Sequence, residues 1–551
     1  MEEWASDTLS LWRKEGNQRI KQNFQVFRCL VAQARDHIMQ SNYNAAAAYA
    51  QIAGLYAQNN HCGFFVSPEL EHILLTIGQK TIPKSIPPNQ NNSFSTKPKN
   101  ILHVATNVFS PFSGIPRLLR RWIEQDTERS HSLVLTRQVP SQIPQEFKNA
   151  VLKSQGQIYR LNAGTSSYVS RAKRLRKYAT FADMVVLHTW EHDVIPTIAF
   201  ANKDQCPPVL RVNHGDHCFW FGGIISDVIV NLRESGMRLT QERRGIEPHR
   251  NMLLPTVIEP MHRKLSRAEA KEHLGISKDS VLLLSIARGP KYKTIDGINF
   301  AEAHVPLLKQ HKQAILLVIG PGDSEDWSAA IQQTEGRIQV LGQSADTAIF
   351  YQAADIYVDS FPFISNTSLL EAGCYGLPLV TRSIFSNTCE ILAADMPGLT
   401  GNMIRVRNLE EYTKVIAQLI EDAQFRISLG EATRRKITET HMGSNWLQFL
   451  EDIYLHSATL PPVTIPVASI GTDEMFLGEP DVYMPIWFST SSVNIDPYEL
   501  IKFNTHLLPL DQRLHIWLKM IKMDNFGKMG HISRLLPEEM LWHLQNFLSK
   551  N

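Results

Sequence analysis

Hydrophobic positions follow two different periods along the chain. Up to about residue 82, apolar residues recur every three or four positions, the period of a helix. Residues 4–34 carry that spacing, and 42–59 (NYNAAAAYAQIAGLYAQN) are alanine-rich, as in a helix packed through small side chains. The two make at most one unit of a tetratricopeptide-like repeat. Residues 82–100 (IPKSIPPNQNNSFSTKPKN) are rich in Pro, Asn and Ser and read as a linker. From 101 the period changes. Short apolar runs at 101–105, 133–136, 184–188 and 209–213 predict strands, with a helix at 117–128. After 265 the alternation is plainer. Strands are predicted at 281–287, 314–319, 338–341, 356–359 and 379–381, and helices at 298–310, 347–353 and 368–375. Gly376-Leu377-Pro378 closes the last helix, a usual stop signal. Beyond 458 a proline-rich stretch leads to helical patterns at 498–523 and 532–549.

Strands alternating with helices predict parallel sheets. The expected architecture is α/β, with two Rossmann-like domains facing across a cleft and helical extensions at both ends. The expected boundaries are a helical domain at 1–82, a linker at 83–100, Rossmann-like domains at 101–264 and 265–457, and a mainly helical extension at 458–551.

Composition narrows the classes. The 551 residues exceed one core, and 43% hydrophobic with 20% charged residues is an ordinary globular balance. With 56 basic and 54 acidic residues the net charge is +2, so no whole-molecule field favours nucleic acid as a partner. The start, MEEW, lacks the basic and apolar regions of a signal peptide, and no apolar run could span a bilayer. The six cysteines are scattered without a CxxC pair, which fits a reducing compartment, the cytoplasm. No Asp-x-Asp triplet is present, which points to chemistry without a metal. The basic run 171–177 (RAKRLRK) could touch an anionic lipid surface or an acidic acceptor, or lie on a solvated helix face.

The segment 354–382 (ADIYVDSFPFISNTSLLEAGCYGLPLVTR) carries the chemistry. A strand ends near Asp359, a loop follows, and Asn366, Thr367 and Ser368 open a helix with Glu371 expected in its first turn. Free amides at a helix start suit a diphosphate. A carboxylate one turn along can accept both hydroxyls of a ribose. Ser368 and Glu371 also fit a capping box, in which the glutamate serves only the helix.

This segment resembles the donor-binding signature of GT-B glycosyltransferases, especially the large retaining family that includes sucrose synthase and phosphatidylinositol mannosyltransferases. Glu371-Ala372 and Gly376-Leu377-Pro378 carry the match. The resemblance implies a GT-B fold and a ribose-binding role for Glu371. It also implies that Arg288 and Lys293 (RGPKYKT), at the end of strand 281–287, neutralise the leaving diphosphate, with Lys291 as the competing lysine. Gly320 is implied near the base, and Gly114 in a degenerate glycine-rich loop. The family's second glutamate, eight positions before the ribose-binding one, is Phe363 here. The Ser/Asn/Thr-rich loop 365–368 is also similar to that of the inverting protein O-GlcNAc transferases.

Two histidine clusters end strands of the first half, His188–His192 and His214–His217. The resemblance puts His214 on the sugar. Inversion would need a base, for which Asp216, His217, His188 and Glu191 are candidates. A metal site is the other reading of these clusters. The expected function is metal-independent, retaining transfer from a UDP- or GDP-sugar to a glycan, lipid or polypeptide acceptor, with no resident cofactor. The alternatives are an inverting protein glycosyltransferase, a sugar-nucleotide epimerase of the same fold, and a non-catalytic subunit.

Overall fold

The computed structural model describes residues 2–83, 97–109, 114–138, 143–162, 167–292, 299–322, 325–344, 346–393, 395–463 and 473–489, with parts of 500–540. The first sheet contains β1 (Asn100–Ala105), β2 (Ser130–Leu135), β3 (Ile158–Arg160), β4 (Met184–His188), β5 (Val209–Asn213), β6 (Val228–Asn231) and β7 (Asn251–Leu253). The second contains β8 (Val281–Ile286), β9 (Ala314–Ile319), β10 (Ile338–Leu341), β11 (Ile356–Val358), β12 (Leu379–Arg382) and β13 (Met403–Val406). Their spatial orders are β3-β2-β1-β4-β5-β6-β7 and β10-β9-β8-β11-β12-β13. Every pairing is parallel.

Both orders are those of a Rossmann-like sheet, which binds ligands where the order reverses. The reversals fall between β1 and β4 and between β8 and β11. Strands β4, β5 and β11 are buried along their whole length. This is why they read as unbroken apolar runs, because helices cover parallel sheets on both faces.

The helices Glu2–Met39, Tyr43–Asn59 and Pro68–Thr81 share one core with the first sheet. Phe27, Ala46 and Leu74 pack in the same cluster as Leu102, Val104, Val185 and Leu187. The small-residue face permits the close approach: a Cβ on Gly54 would lie 2.5 Å from the Phe221 ring. On the other face, helix Gly443–Thr459 crosses back from the second half. Trp446, Leu450, Ile453 and Tyr454 pack against Ile101, Trp122, Val186 and Val212. The expected boundary, 265–457, places this stretch with the second half. Its apolar positions fill the first sheet instead.

A further cluster joins both halves and both ends of the chain, with Trp12, Phe65, Cys218, Phe385, Tyr483 and Phe488 among its members. Of the predicted C-terminal helices, Leu510–Lys522 is formed, and 532–549 lies almost wholly outside the described residues. The basic run is not a lipid-facing patch. Arg171 donates to the Thr136 carbonyl (3.0 Å), and Arg174 donates to those of Leu161 and Arg160 (2.8 and 2.9 Å). Arg176 is buried against Cys206. Only Lys173 and Lys177 remain exposed, fewer than a polybasic lipid site uses. Among the described residues no helix is long and apolar enough to cross a membrane.

Candidate functional site

The donor side is built at the switch point of the second sheet. Asp359 follows β11 and is fully buried. It accepts hydrogen bonds from Ser360 N (2.9 Å), Ser365 N (3.0 Å) and Thr381 Oγ1 (3.3 Å). In the turn after β8, Lys291 Nζ donates to the Ile364 carbonyl at 2.5 Å. Burial pushes the Lys291 ammonium down and the Asp359 carboxyl up, and their mutual attraction opposes both shifts. The loop between them is therefore clamped from both strands, and it delivers the chain into helix Asn366–Cys374.

That helix begins without a side-chain cap: Ser365 is at the N-cap and makes no capping hydrogen bond. The amides at Asn366, Thr367 and Ser368 thus have no intrahelical acceptor. The capping-box reading fails, because no acidic residue lies in the first turn and Glu371 sits beyond it. Glu371 is 6% exposed. Its carboxylate meets polar partners rather than the apolar interior. Arg117 Nη2 pairs with Oε1, Arg121 Nη2 is 3.9 Å away, and Tyr351 Oη donates to Oε2 at 3.4 Å. Both arginines belong to helix Gly114–Gln125 of the first half, so the pair spans the cleft. Sequence reasoning missed them. Their spacing of four residues on one helix face was the available signal.

Arg288, one residue past Ala287, is exposed; its carbonyl accepts from Lys291 N (2.9 Å), and its guanidinium has no hydrogen bond or ion pair among the described residues. Lys293 lies outside the described residues. Gly320 has φ +122°, and a Cβ there would stand 2.0 Å from the Ala287 carbonyl. Its glycine is explained by the close passage of β9 under the Arg288 turn. Gly114 opens its helix with nothing within 4 Å of an added Cβ, so the described residues do not require glycine there. The loop residues 110–113 before it are outside the described residues.

On the first half, His214 and Asp216 follow β5. Asp216 is not placed to act as a base. Arg233 binds both its oxygens (2.5 and 2.9 Å) and continues to Asp395 (3.1 Å) in the second half. Burial alone would raise the Asp216 carboxyl. The Arg233 guanidinium overrides it and holds the group well below the usual range, so its proton affinity is low. His217 bonds the same carboxylate at 3.1 Å. Glu191 accepts from Gln58 Nε2 (3.0 Å), and burial raises its carboxyl. His214 is partly exposed, and burial together with the Arg211 charge holds it down to about 3. It is neutral at ordinary pH.

The wall between these groups is aromatic. Phe363, where the resemblance leads one to expect a glutamate, is buried with its ring 5.0 Å from that of Trp487. Trp487 lies 4.9 Å from His217, and Phe488 is 5.8 Å from it. The C-terminal segment Met484–Ser489 thus reaches between the donor loop and the histidine loop. A carboxylate at 363 would be desolvated against these rings, which gives the departure a physical reason.

Residues 281–422 match the family model described as Glycosyl transferases group 1. No curated protein matches the chain. Anabaena HepE in complex with UDP is a similar solved structure, at 13% identity and TM-score 0.50, covering 66% of this chain and 100% of that one. A glycosyltransferase from Rickettsia africae gives 13% identity and TM-score 0.50, covering 66% and 99%. The Thermobaculum terrenum O-GlcNAc transferase covers 80% of this chain and 84% of its own at 15% identity, with TM-score 0.48. At such identities the structural likeness speaks for the fold, and the matched segment carries β8, β11, the clamped loop and Glu371. The two parallel sheets have the GT-B fold of these structures, and residues 281–422 are similar to the glycosyl transferases group 1 domain.

Proposed function

We propose that the chain moves a sugar from a UDP- or GDP-sugar to a hydroxyl of a glycan, lipid or protein acceptor, with retention and without a metal ion. The supporting observation is the pairing of an unengaged cation with an uncapped helix start. The turn that bears Arg288 is tied to the donor loop through Lys291 and Ile364 (2.5 Å), two residues before the uncapped helix start at Asn366, and Arg288 would meet a phosphate held there. Fixed positive charge of this kind stabilises a departing diphosphate. Glu371 would take the ribose hydroxyls, His214 the sugar, and Lys293 would join Arg288 on the phosphates. HepE, a neighbour in fold, is bound to UDP in its own structure, which favours a uridine donor.

A panel of UDP- and GDP-sugars, scored for binding and for slow hydrolysis by the purified chain, tests this reading. One nucleotide sugar should bind and hydrolyse, and Arg288→Ala should lose the signal in a folded protein. Binding of no nucleotide sugar would end it. A second reading, inversion on a polypeptide hydroxyl, is favoured by Phe363 in the place of a carboxylate that would face the sugar. The anomeric configuration of the product separates the two.

A further inference from the structure

A file of four imidazoles crosses the interior of the first sheet. His214 Nε2 is 3.2 Å from His188 Nδ1, and His188 Nε2 is 3.1 Å from His103 Nδ1. His103 Nε2 is 2.9 Å from His131 Nδ1, and His131 Nε2 is 2.9 Å from the Asp126 carbonyl. The Asp126 carboxylate lies 3.4 Å from the same nitrogen and is itself held by Arg129 (2.8 Å) and Tyr454 (3.1 Å). The period of two in each strand puts these histidines on the face that also carries Ile101, Val186 and Val212. There Trp122 stands edge-on to His103 and His188. The ring nitrogens engage one another in sequence, so they cannot converge on a metal.

A carbonyl oxygen only accepts, so His131 Nε2 carries hydrogen. Burial holds His103 and His188 well below the ordinary imidazole range, so each is neutral with one donor and one acceptor. With that single hydrogen on His131 the file has one polarity: His131 Nδ1 accepts from His103, His103 Nδ1 accepts from His188, and His188 Nδ1 accepts from His214. At the cleft end, His214 Nδ1 is left bare, and it makes no hydrogen bond to the described protein.

We propose that His131 carries only its Nε2 hydrogen, and that His188, His103, His131 and Asp126 are thereby positioning residues that lock His214 in its Nε2–H form, so that bare Nδ1 accepts a hydrogen bond from a hydroxyl of the donor sugar. This rests on the sugar-nucleotide reading above. A free imidazole could turn either nitrogen to the cleft; the file leaves one, and the hydroxyl must then donate.

Long-range 1H–15N spectra of the full chain labelled with 15N-histidine read the tautomers directly, with His214→Asn identifying the His214 signals. At neutral pH, His214, His188 and His103 should all show bare Nδ1 and protonated Nε2. His103→Phe cuts the file. His214 should then become a tautomer mixture, and hydrolysis of the UDP-glucose or GDP-mannose probe should fall about two- to fivefold, in proportion to the His214 that loses bare Nδ1. Kd for bare UDP or GDP should stay within about twofold, which also reports that the variant is folded. A wild-type His214 protonated on Nδ1 overturns the proposal whether or not the variant folds, as does unchanged hydrolysis by a folded His103→Phe. A wild-type chain with the expected tautomers that binds no nucleotide sugar overturns the underlying reading instead, and leaves the file without a substrate to serve.

Discussion

Arg117 of the first half and Glu371 of the second are ion-paired across the cleft. The carboxylate assigned to a ribose therefore already has a partner, on the opposite side of the site from its own helix. A nucleotide must displace that guanidinium, so the competent state is a fraction of the resting population and apparent affinity is reduced by that fraction.

Arg117→Ala should therefore tighten UDP binding, by about three- to tenfold. Titration calorimetry on wild type and variant checks this. Weaker binding would mean that Arg117 is itself a ligand for the nucleotide.

Asp216, Arg233 and Asp395 form a second link between the halves, with Arg233 4% exposed. Removing one member of such a buried set leaves an uncompensated charge. Arg233→Ala should cost about 3–5 kcal/mol by urea denaturation. The acid side has a definite sign. A carboxyl depressed in the folded state contributes stability above its unfolded pKa, about 3.9, and loses it as pH falls through the folded value. The wild-type link should thus hold through mild acid and weaken only below about pH 4.

Glu71 has the opposite sign. It is buried under the loop after Trp220, accepts from Gly222 N at 2.6 Å, and burial raises its carboxyl to about 7. From about pH 4.3, the unfolded value, up to 7, the folded chain keeps a proton that the unfolded chain has lost. Stability from this group is complete below that window and declines as pH rises through it, by up to about 1.4 kcal/mol per pH unit. Glu71→Gln should flatten that part of the stability–pH curve, measured as urea midpoints at several pH values. An unchanged slope would assign it to other groups.

Trp487 holds the C-terminal segment against Phe363 and His217. Trp487→Ala should leave the Kd of bare nucleotide within about twofold and raise KM for the nucleotide sugar severalfold, because the aromatic wall borders the sugar rather than the phosphates. Equal weakening of both would place the ring on the nucleotide instead.

The fold was legible where apolar runs are continuous. Runs at 184–188, 209–213, 314–319 and 338–341 became β4, β5, β9 and β10 with the same ends. The strands that escaped, β3, β6, β7 and β13, have only three or four residues; β10, β11 and β12 are as short, and the plainer strand–helix alternation of the second half is what exposed them. At the site, the resemblance points to Glu371 and Arg288, which follow β11 and β8 in the structure, and their roles are those proposed above. Asp216 stands among four candidate bases in the sequence because sequence shows a carboxylate beside a histidine and cannot show that Arg233, at the N-cap of helix Glu234–Arg244, pairs with it. His103 and His131 were invisible for a related reason. Each lies inside an ordinary strand, and only the parallel register, with His103 opposite Leu133 and Val186, brings them into one file with His188. The role of Trp487 depends on a chain segment far away in sequence from Phe363.

The central claim is that Glu371 grips the ribose of a nucleotide at the start of helix Asn366–Cys374. Calorimetric titration of UDP and GDP into the intact chain and into Glu371→Ala, with thermal melts confirming that both are folded, measures it directly. The account predicts binding of at least one nucleotide by wild type and loss of that binding in the variant. Equal binding by both proteins, or none by the wild type, would contradict it.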